Sequence, residues 1–391
     1  MPQPVLQSDD EIGSDALRAV GLDAGVLAVA PILDGLSGAA LARVRLCRPA
    51  GDWPQAPCAR HSRVVKRITA ERGWLGATTH DARLREAALW RAGLPQWLPR
   101  RIALAVERVA FDETTDVDGR EVARATLLMR DERAHLLREP YRAPLGHLPT
   151  DLLTLLDALA ALHARFWQAS LLDDTALGLA SQRDTLLWLS PQAVERRIAA
   201  GDPQPYLRLA RDGWEAFFRL APAQEAATLQ AVLAQPEAAL RAIERLPRTL
   251  IHGDIWGPNL GWLPPTRHSP HVGRRLLLLD WALAAAGPAP YDVLSLCGAW
   301  HTLRPTRLMA IYRARLSRRL AARGVALTAP QWQALADAAY LRTALSGGEA
   351  WARAVEAAPS PVARRQAMAR LTWWARRGAQ AARRLELYRN V

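Results

Sequence analysis

Thr249-Leu250-Ile251-His252-Gly253-Asp254-Ile255-Trp256-Gly257-Pro258-Asn259 begins as a short apolar strand and turns into a Gly/Pro-rich loop that holds a carboxylate and a carboxamide five residues apart. Phosphoryl transfer to a hydroxyl uses such a pair. A carboxylate orients the attacking hydroxyl and accepts its proton, and an amide oxygen helps hold the magnesium that neutralises the phosphates. Asp254 fits the base and Asn259 the metal ligand. Twenty-one residues beyond Asn259, Leu276 to Leu279 lead straight into Asp280-Trp281. Asp280 therefore falls at the end of a buried strand, where a main magnesium ligand is held rigidly. A lone aspartate after an apolar run is usually a turn or a helix cap. The combined spacing of Asp254, Asn259 and Asp280 favours the metal-phosphate reading.

Working outward, the chain before this loop divides into two characters. Val26 to Arg45 reads as two strands flanking Asp34-Gly35-Leu36-Ser37-Gly38, a turn that could cover phosphates with Ser37 and backbone N–H groups near Gly38. Ser62 to Thr69 is extended, with β-branched Val64, Val65 and Ile68 around Lys66. Asp81 to Ala92 is rich in helix formers and is stopped by Gly93 and Pro95. Arg101 to Phe111 and Glu121 to Met129 form a hairpin across the turn signal Asp116-Val117-Asp118-Gly119. From Pro149 onward the period changes to that of helices. Leu152, Leu155, Leu156, Leu159, Leu162 and Phe166 mark one face of the first. Helical patterns recur over 192–199, 204–220, 222–245, 305–323, 330–345 and 361–388, interrupted by an extended patch at 248–280.

Bulk properties set limits on this reading. A chain of 391 residues exceeds what one hydrophobic core usually supports, so two lobes with a cleft between them are expected. The N-terminus is polar and acidic, and no apolar run is long enough to span a bilayer, which predicts a cytoplasmic protein with no membrane partner. Cys47, Cys58 and Cys297 have no metal-ligand spacing and read as incidental or buried thiols. The formal charge of +13 invites a nucleic-acid partner. Lys66, however, is the only lysine, and no basic segment is interleaved with aromatics, which argues against one. The sequence leaves the oligomeric state open.

These motifs resemble the aminoglycoside phosphotransferase and choline kinase-like superfamily of small-molecule kinases, with its protein-kinase-like fold. The His-Gly-Asp-x-x-x-x-Asn loop and the strand ending in Asp-Trp are intact, and Gly287-Pro288-Ala289-Pro290-Tyr291-Asp292-Val293-Leu294 is similar to the Gly-containing loop and Asp-Leu-type helix that follow. The resemblance implies an α+β fold in two lobes. The N-lobe, a small antiparallel sheet with one helix, would span 25–130 and bind nucleotide, after an N-terminal extension at 1–24. The larger helical C-lobe would span 131–391. It further implies ATP and magnesium as cofactors. Lys66 would grip the α- and β-phosphates and Glu86 would hold that lysine. The Leu127-Leu128-Met129-Arg130-Asp131 segment would meet adenine. His252 and Asp292 would be structural, fixing the catalytic loop.

The chain departs from antibiotic-modifying members at Ala282 and Pro288, where acidic residues are usual. Neither change removes a base or a metal ligand. From His301 to Val391 there are four acidic residues against seventeen arginines, a poor source of an acid-lined pocket for polycations. Tryptophans are abundant, including Trp256, Trp262, Trp300, Trp351, Trp373 and Trp374. Most belong in a core, but a few lining an acceptor site would favour an apolar or ring-shaped alcohol, and Trp256 within the loop is the best placed to touch it. The leading expectation is a phosphotransferase moving the γ-phosphate of ATP to a hydroxyl of a small molecule. The alternative is a kinase-fold nucleotide-binding or regulatory protein without turnover. A protein kinase fits poorly, because no Ala-Pro-Glu segment follows Asp280 and the interval to Asp292 is too short for an activation loop.

Overall fold

The computed structural model describes residues 12–22, 26–32, 39–48, 59–70, 73–115, 121–137, 150–265, 273–299 and 303–387. Its first part is a helix, α1 (Ser14–Ala19), and strands β1 (Val26–Pro31), β2 (Ala40–Arg48) and β3 (Ala59–Thr69), followed by helices α2 (Gly73–Thr78), α3 (Arg85–Ala92) and α4 (Leu94–Trp97). Strands β4 (Ile102–Ala103), β5 (Val106–Thr115) and β6 (Glu121–Arg130) complete it. Five of these strands form an antiparallel sheet in the order β1-β2-β3-β6-β5.

Alternation along β3 sends neighbouring side chains to opposite faces of the sheet. Val65 packs with Val44 and Leu128 against Leu17 and Val20, so α1 and the residue after it cover the outer face. Lys66 is opposite Leu127 in the register, on the face where Leu127 packs with Leu84 and Ala87 beside α3. A one-residue slip would carry Lys66 to the wrong side.

The second part is helical: α5 (Thr150–Arg165), α6 (Gln182–Leu187), α7 (Pro191–Ala199), α8 (Pro205–Leu220), α9 (Ala223–Ala234) and α10 (Glu237–Glu244). Short strands β7 (Thr249–Ile251), β8 (Leu260–Leu263), β9 (Arg275–Leu278) and β10 (Ala285–Gly287) follow. Helices α11 (Pro290–Ala299), α12 (Pro305–Ala321), α13 (Ala329–Glu356) and α14 (Pro361–Leu387) close the chain. The six apolar positions that mark α5 in the sequence are all buried. The fold is α+β, a sheet-rich lobe on a helical one.

Several local expectations change. The sheet-rich lobe carries α2, α3 and α4 in addition to α1, where one helix was expected. α3 starts at Arg85, and Asp81 caps it by accepting from the Arg85 N–H at 2.8 Å. The pattern over 222–245 is two helices, because Pro236 lacks an N–H and forces Gln235 out of helical geometry, at φ −136° and ψ 73°. α13 runs past Leu345 to Glu356 despite Gly347 and Gly348; a Cβ at Gly347 would crowd Trp351, and one at Gly348 would crowd Trp214 and Phe217. Cys47 is disulfide-bonded and Cys297 is a buried free thiol. The turn at Asp34–Gly38, with Ser37 and Gly38, lies outside the described residues, as do Asp116–Gly119, Cys58 and Trp300. Among the described residues no helix is long and apolar enough to cross a membrane.

Candidate active site

The catalytic-type loop is suspended between two small sheets. β7 pairs with β10, while β8 pairs with β9, which also runs parallel to β4 from the sheet-rich lobe. These pairings bring the ends of β7 and β9 side by side. The Leu279 N–H donates to the Asn259 carbonyl at 2.9 Å, placing Asn259 next to Asp280. Gly253 has φ +83°, and a Cβ there would stand 2.1 Å from the Leu283 carbonyl, so this position admits only glycine. Asp280 is itself left-handed, φ 60° and ψ 76°. Such strain in a non-glycine residue persists where surrounding structure holds it, often at functional sites.

Two amide hydrogens of Asn259 are committed to Asp254: Nδ2 donates to Oδ2 at 2.8 Å and to the main-chain carbonyl at 3.2 Å. The carboxamide is thereby oriented and its oxygen is left as an acceptor. Burial pushes the Asp254 carboxyl up to about 7, with the nearby Asp280 charge adding to the effect, while Arg342, Asn259 and the Trp256 indole N–H oppose it. A carboxylate poised near neutrality suits a general base.

The ammonium of Lys66 donates to Glu86 Oε2 at 2.6 Å and to Asp280 Oδ1 at 3.0 Å. The Lys66 and Glu86 side chains are almost wholly buried and Asp280 is about a quarter exposed. Burial alone would favour neutral lysine, but the Asp280 and Glu86 charges outweigh it and raise the Lys66 pKa. Burial likewise works against Asp280, and Lys66 holds its carboxyl below the usual range. The lysine thus remains charged in a position reached from both lobes.

His252 is spent on structure. Its Nδ1 accepts from the Asp254 N–H at 3.3 Å, so Nε2 carries the hydrogen and donates to the Leu279 carbonyl at 2.9 Å. Burial lowers its pKa. Asp292, on α11, accepts from the N–H groups of His252 at 2.9 Å and Gly253 at 2.8 Å and from His163 Nε2 at 3.1 Å. Burial would raise the Asp292 pKa, but the hydrogen bond and charge of His163 keep it low. The other ring nitrogen of His163 meets the Tyr312 hydroxyl at 2.5 Å. Both residues therefore lie behind the loop rather than in front of it.

In front of the loop lies a cavity of about 720 Å³ between the lobes. Lys66, Glu86, Asp254, Asn259, Asp280, Met129 and Trp256 all line it. Trp351 does too, whereas Trp373 and Trp374 pack around Tyr340 in the helical core.

Three features have no counterpart among the sequence motifs. Arg342, on α13, is buried and donates to the carbonyls of Gly253 at 2.6 Å and Thr185 at 3.2 Å and to Ser295 Oγ at 3.1 Å. Arg85, beside Glu86, donates to the carbonyls of Gly178 at 2.6 Å, Thr79 at 3.3 Å and Ala282, tying α3 to the segment after Asp280. Finally, Trp74 stacks on Trp188 at 5.4 Å and meets Tyr206 at 5.6 Å, so the sheet-rich lobe contributes to the aromatic wall of the cavity. An arginine inside the apolar stripe Ala338-Ala339-Leu341-Leu345 was the available signal for Arg342. Nothing local marks Arg85 or the wall.

The donor set accommodates magnesium. Among the described residues no three His, Cys, Asp or Glu side chains cluster as a metal cage. One carboxylate and one carboxamide oxygen facing a cavity match an ion that keeps waters and takes phosphate oxygens for its remaining ligands.

No family model matches the chain, and no curated protein matches it significantly by sequence. Solved structures resemble it. A provisionally named aminoglycoside phosphotransferase from Ralstonia eutropha is 17% identical over 95% of this chain and 98% of its own, with a TM-score of 0.43. An ethanolamine kinase from Plasmodium vivax is 10% identical over 88% and 82%, TM-score 0.42. A choline kinase from Cryptosporidium parvum is 12% identical over 98% and 95%, TM-score 0.45. Identities and TM-scores this low transfer no activity.

Proposed function

We propose that the protein is an ATP-dependent phosphotransferase that moves the γ-phosphate to a hydroxyl of a small molecule, with Asp254 as base. The observation that carries this reading is the Lys66 ammonium held between Glu86 and Asp280, facing the Asp254–Asn259 pair across one cavity. A lysine kept charged at that place has the reach of a phosphate ligand, and its compact ammonium fits where a guanidinium fork would not. Adenine would lie against Met129 and the backbone that follows β6, with Ser37 and Gly38 covering the phosphates.

Asn259 and Asp280 would hold magnesium, which when bound neutralises phosphate charge. Asp254 takes the acceptor's proton as the oxygen attacks. Asn259 fixes the Asp254 rotamer, and His252 and Asp292 fix the loop backbone, so the base meets the hydroxyl without reorganisation. Lys66 neutralises charge on the nucleotide. The cavity between the two lobes would hold both substrates.

Melting the protein with ATP, with magnesium and with both, then following ATP consumption across hydroxylated compounds, tests the reading. A shift that needs both components, and turnover that needs an acceptor, are expected. A melting point indifferent to ATP and magnesium would overturn it.

A further inference from the structure

The acceptor half of the cavity has its own chemistry. Its wall combines Trp74 from α2, Trp188 after α6, Tyr206 on α8 and Trp351 on α13, with Trp256 at the catalytic loop. Trp74 and Trp188 are nearly parallel, 23° apart, and Trp351 lies flat on Trp374 at 4.8 Å and 13°. Trp188 and Tyr206 present partly exposed apolar surface while Trp74 and Trp351 are almost wholly buried, an arrangement unlike the box of mutually perpendicular rings that surrounds a cationic headgroup.

Charge in this half is already balanced. Glu349 is its one carboxylate besides Asp254 among the described lining residues, and its side chain is 1% exposed. The Tyr206 hydroxyl donates to it at 2.8 Å, and Arg353 reaches it with Nε at 2.8 Å and Nη2 at 2.7 Å. The Arg353 guanidinium also lies 5.8 Å from the Tyr206 ring centre, over its face. Opposite, Arg342 has its donors committed to main-chain and serine oxygens. Apart from the base Asp254, a cationic acceptor would find one anion already paired and a buried guanidinium nearby, so its charge would lose hydration with no countercharge but the base itself.

We infer that the acceptor is an uncharged alcohol with an aromatic or alicyclic ring, laid against the Trp74–Trp188–Tyr206 wall with its hydroxyl at Asp254. This rests on the phosphotransfer reading and narrows it. As the bond from the acceptor oxygen to the γ-phosphorus forms, the bond to the bridging oxygen of ATP breaks. The hydroxyl proton passes to Asp254, and ADP leaves with the electron pair. Trp188 determines specificity. Trp74 couples it to lobe position, because the wall is complete only when α2 meets the helical lobe.

The test measures binding by calorimetry to the full chain saturated with MgADP, using phenylethanol, cyclohexylmethanol, choline and dimethylbutanol, the uncharged carbon isostere of choline. Phosphorylation of each is then followed with MgATP. The ring alcohols should bind and react best, and dimethylbutanol should equal or exceed choline. Trp188→Ala should weaken ring-alcohol binding roughly tenfold, the worth of one aromatic contact. Trp188→Phe should restore most of it, and the MgATP melting shift should be the same in both variants. Tighter binding and faster turnover of choline than of its isostere would overturn the inference, as would failure of both ring alcohols to bind a protein that still binds MgADP. Failure to bind nucleotide at all would instead sink the phosphotransfer reading.

Discussion

The Arg342 guanidinium, 89 residues along the chain from Gly253, donates to its carbonyl at 2.6 Å and so grips the catalytic-type loop from the helical side. Asp292 grips the adjoining N–H groups. Gly253, the residue just before Asp254, is therefore held at both its N–H and its carbonyl.

Replacing Arg342 by Leu removes donors from the Gly253 and Thr185 carbonyls, and each buried group left unpaired costs about 1–3 kcal/mol. Urea titration should show that loss of stability. Arg342→Lys, which cannot span three acceptors, should retain nucleotide binding while kcat falls about tenfold or more, the scale of a small misplacement of the base. Unchanged kcat in the lysine variant would remove Arg342 from its positioning role.

Lys66 is the salt-bridge partner of buried Glu86, so removing the lysine strands the glutamate. Lys66→Met should destabilise the protein by about 3 kcal/mol or more, whereas Lys66→Met combined with Glu86→Leu should recover much of that loss. Lys66→Ala should weaken ATP binding about ten- to a hundredfold, as expected for a lost hydrogen bond from a charged group, and Lys66→Arg should not restore it. Equilibrium unfolding and nucleotide titration read these effects separately.

Asp254 makes stability depend on pH in a defined direction. Its folded value of about 7 lies above the 3.8 of an ordinary aspartate, so the native state holds the proton more tightly. The stability this contributes is present at low pH and is lost as pH rises from about 4 to about 7. Without nucleotide or metal, Asp254→Asn should melt above the wild type at pH 8, and the gap should close toward pH 5. A constant gap across that range would remove Asp254 as the titrating group.

His252 gives the opposite sign. Burial lowers its folded pKa from 6.5, so its contribution is lost as pH falls below the unfolded value. Its imidazole resonances should show the neutral Nε2–H tautomer persisting to lower pH than in an exposed histidine. A histidine that titrates normally would contradict the network around Leu279 and Asp254.

How much of this could be read from the sequence depended on the range of the physics involved. Asp254, Asn259 and Asp280 are tied by short spacings on strands and one loop, and all three line one cavity. Lys66 stood out because it is the only lysine in the chain, and the β3–β6 register brings it under α3. The α5 stripe was visible because its period is local. Pro236 was a legible helix break that the apolar pattern on either side obscured. Arg85, Arg342 and the Trp74–Trp188 contact belong to another category. Each joins segments distant in the chain through tertiary packing, between lobes for Arg85 and Trp74 and within the helical lobe for Arg342, and beyond the arginine in the α13 apolar stripe no local pattern encodes the choice. The last ninety residues hold few acids, yet Glu349 reaches the cavity, paired with an arginine one helical turn away.

The most direct test of the central claim compares Asp254→Ala with the wild type in two measurements on the same preparation: MgATP affinity and the rate of phosphate transfer to an accepted alcohol. The account predicts affinity within about threefold of wild type, since uniform binding is not the base's task, and a kcat lower by about a hundredfold to ten-thousandfold. Undiminished turnover, or a loss of affinity as large as the loss of rate, would contradict it.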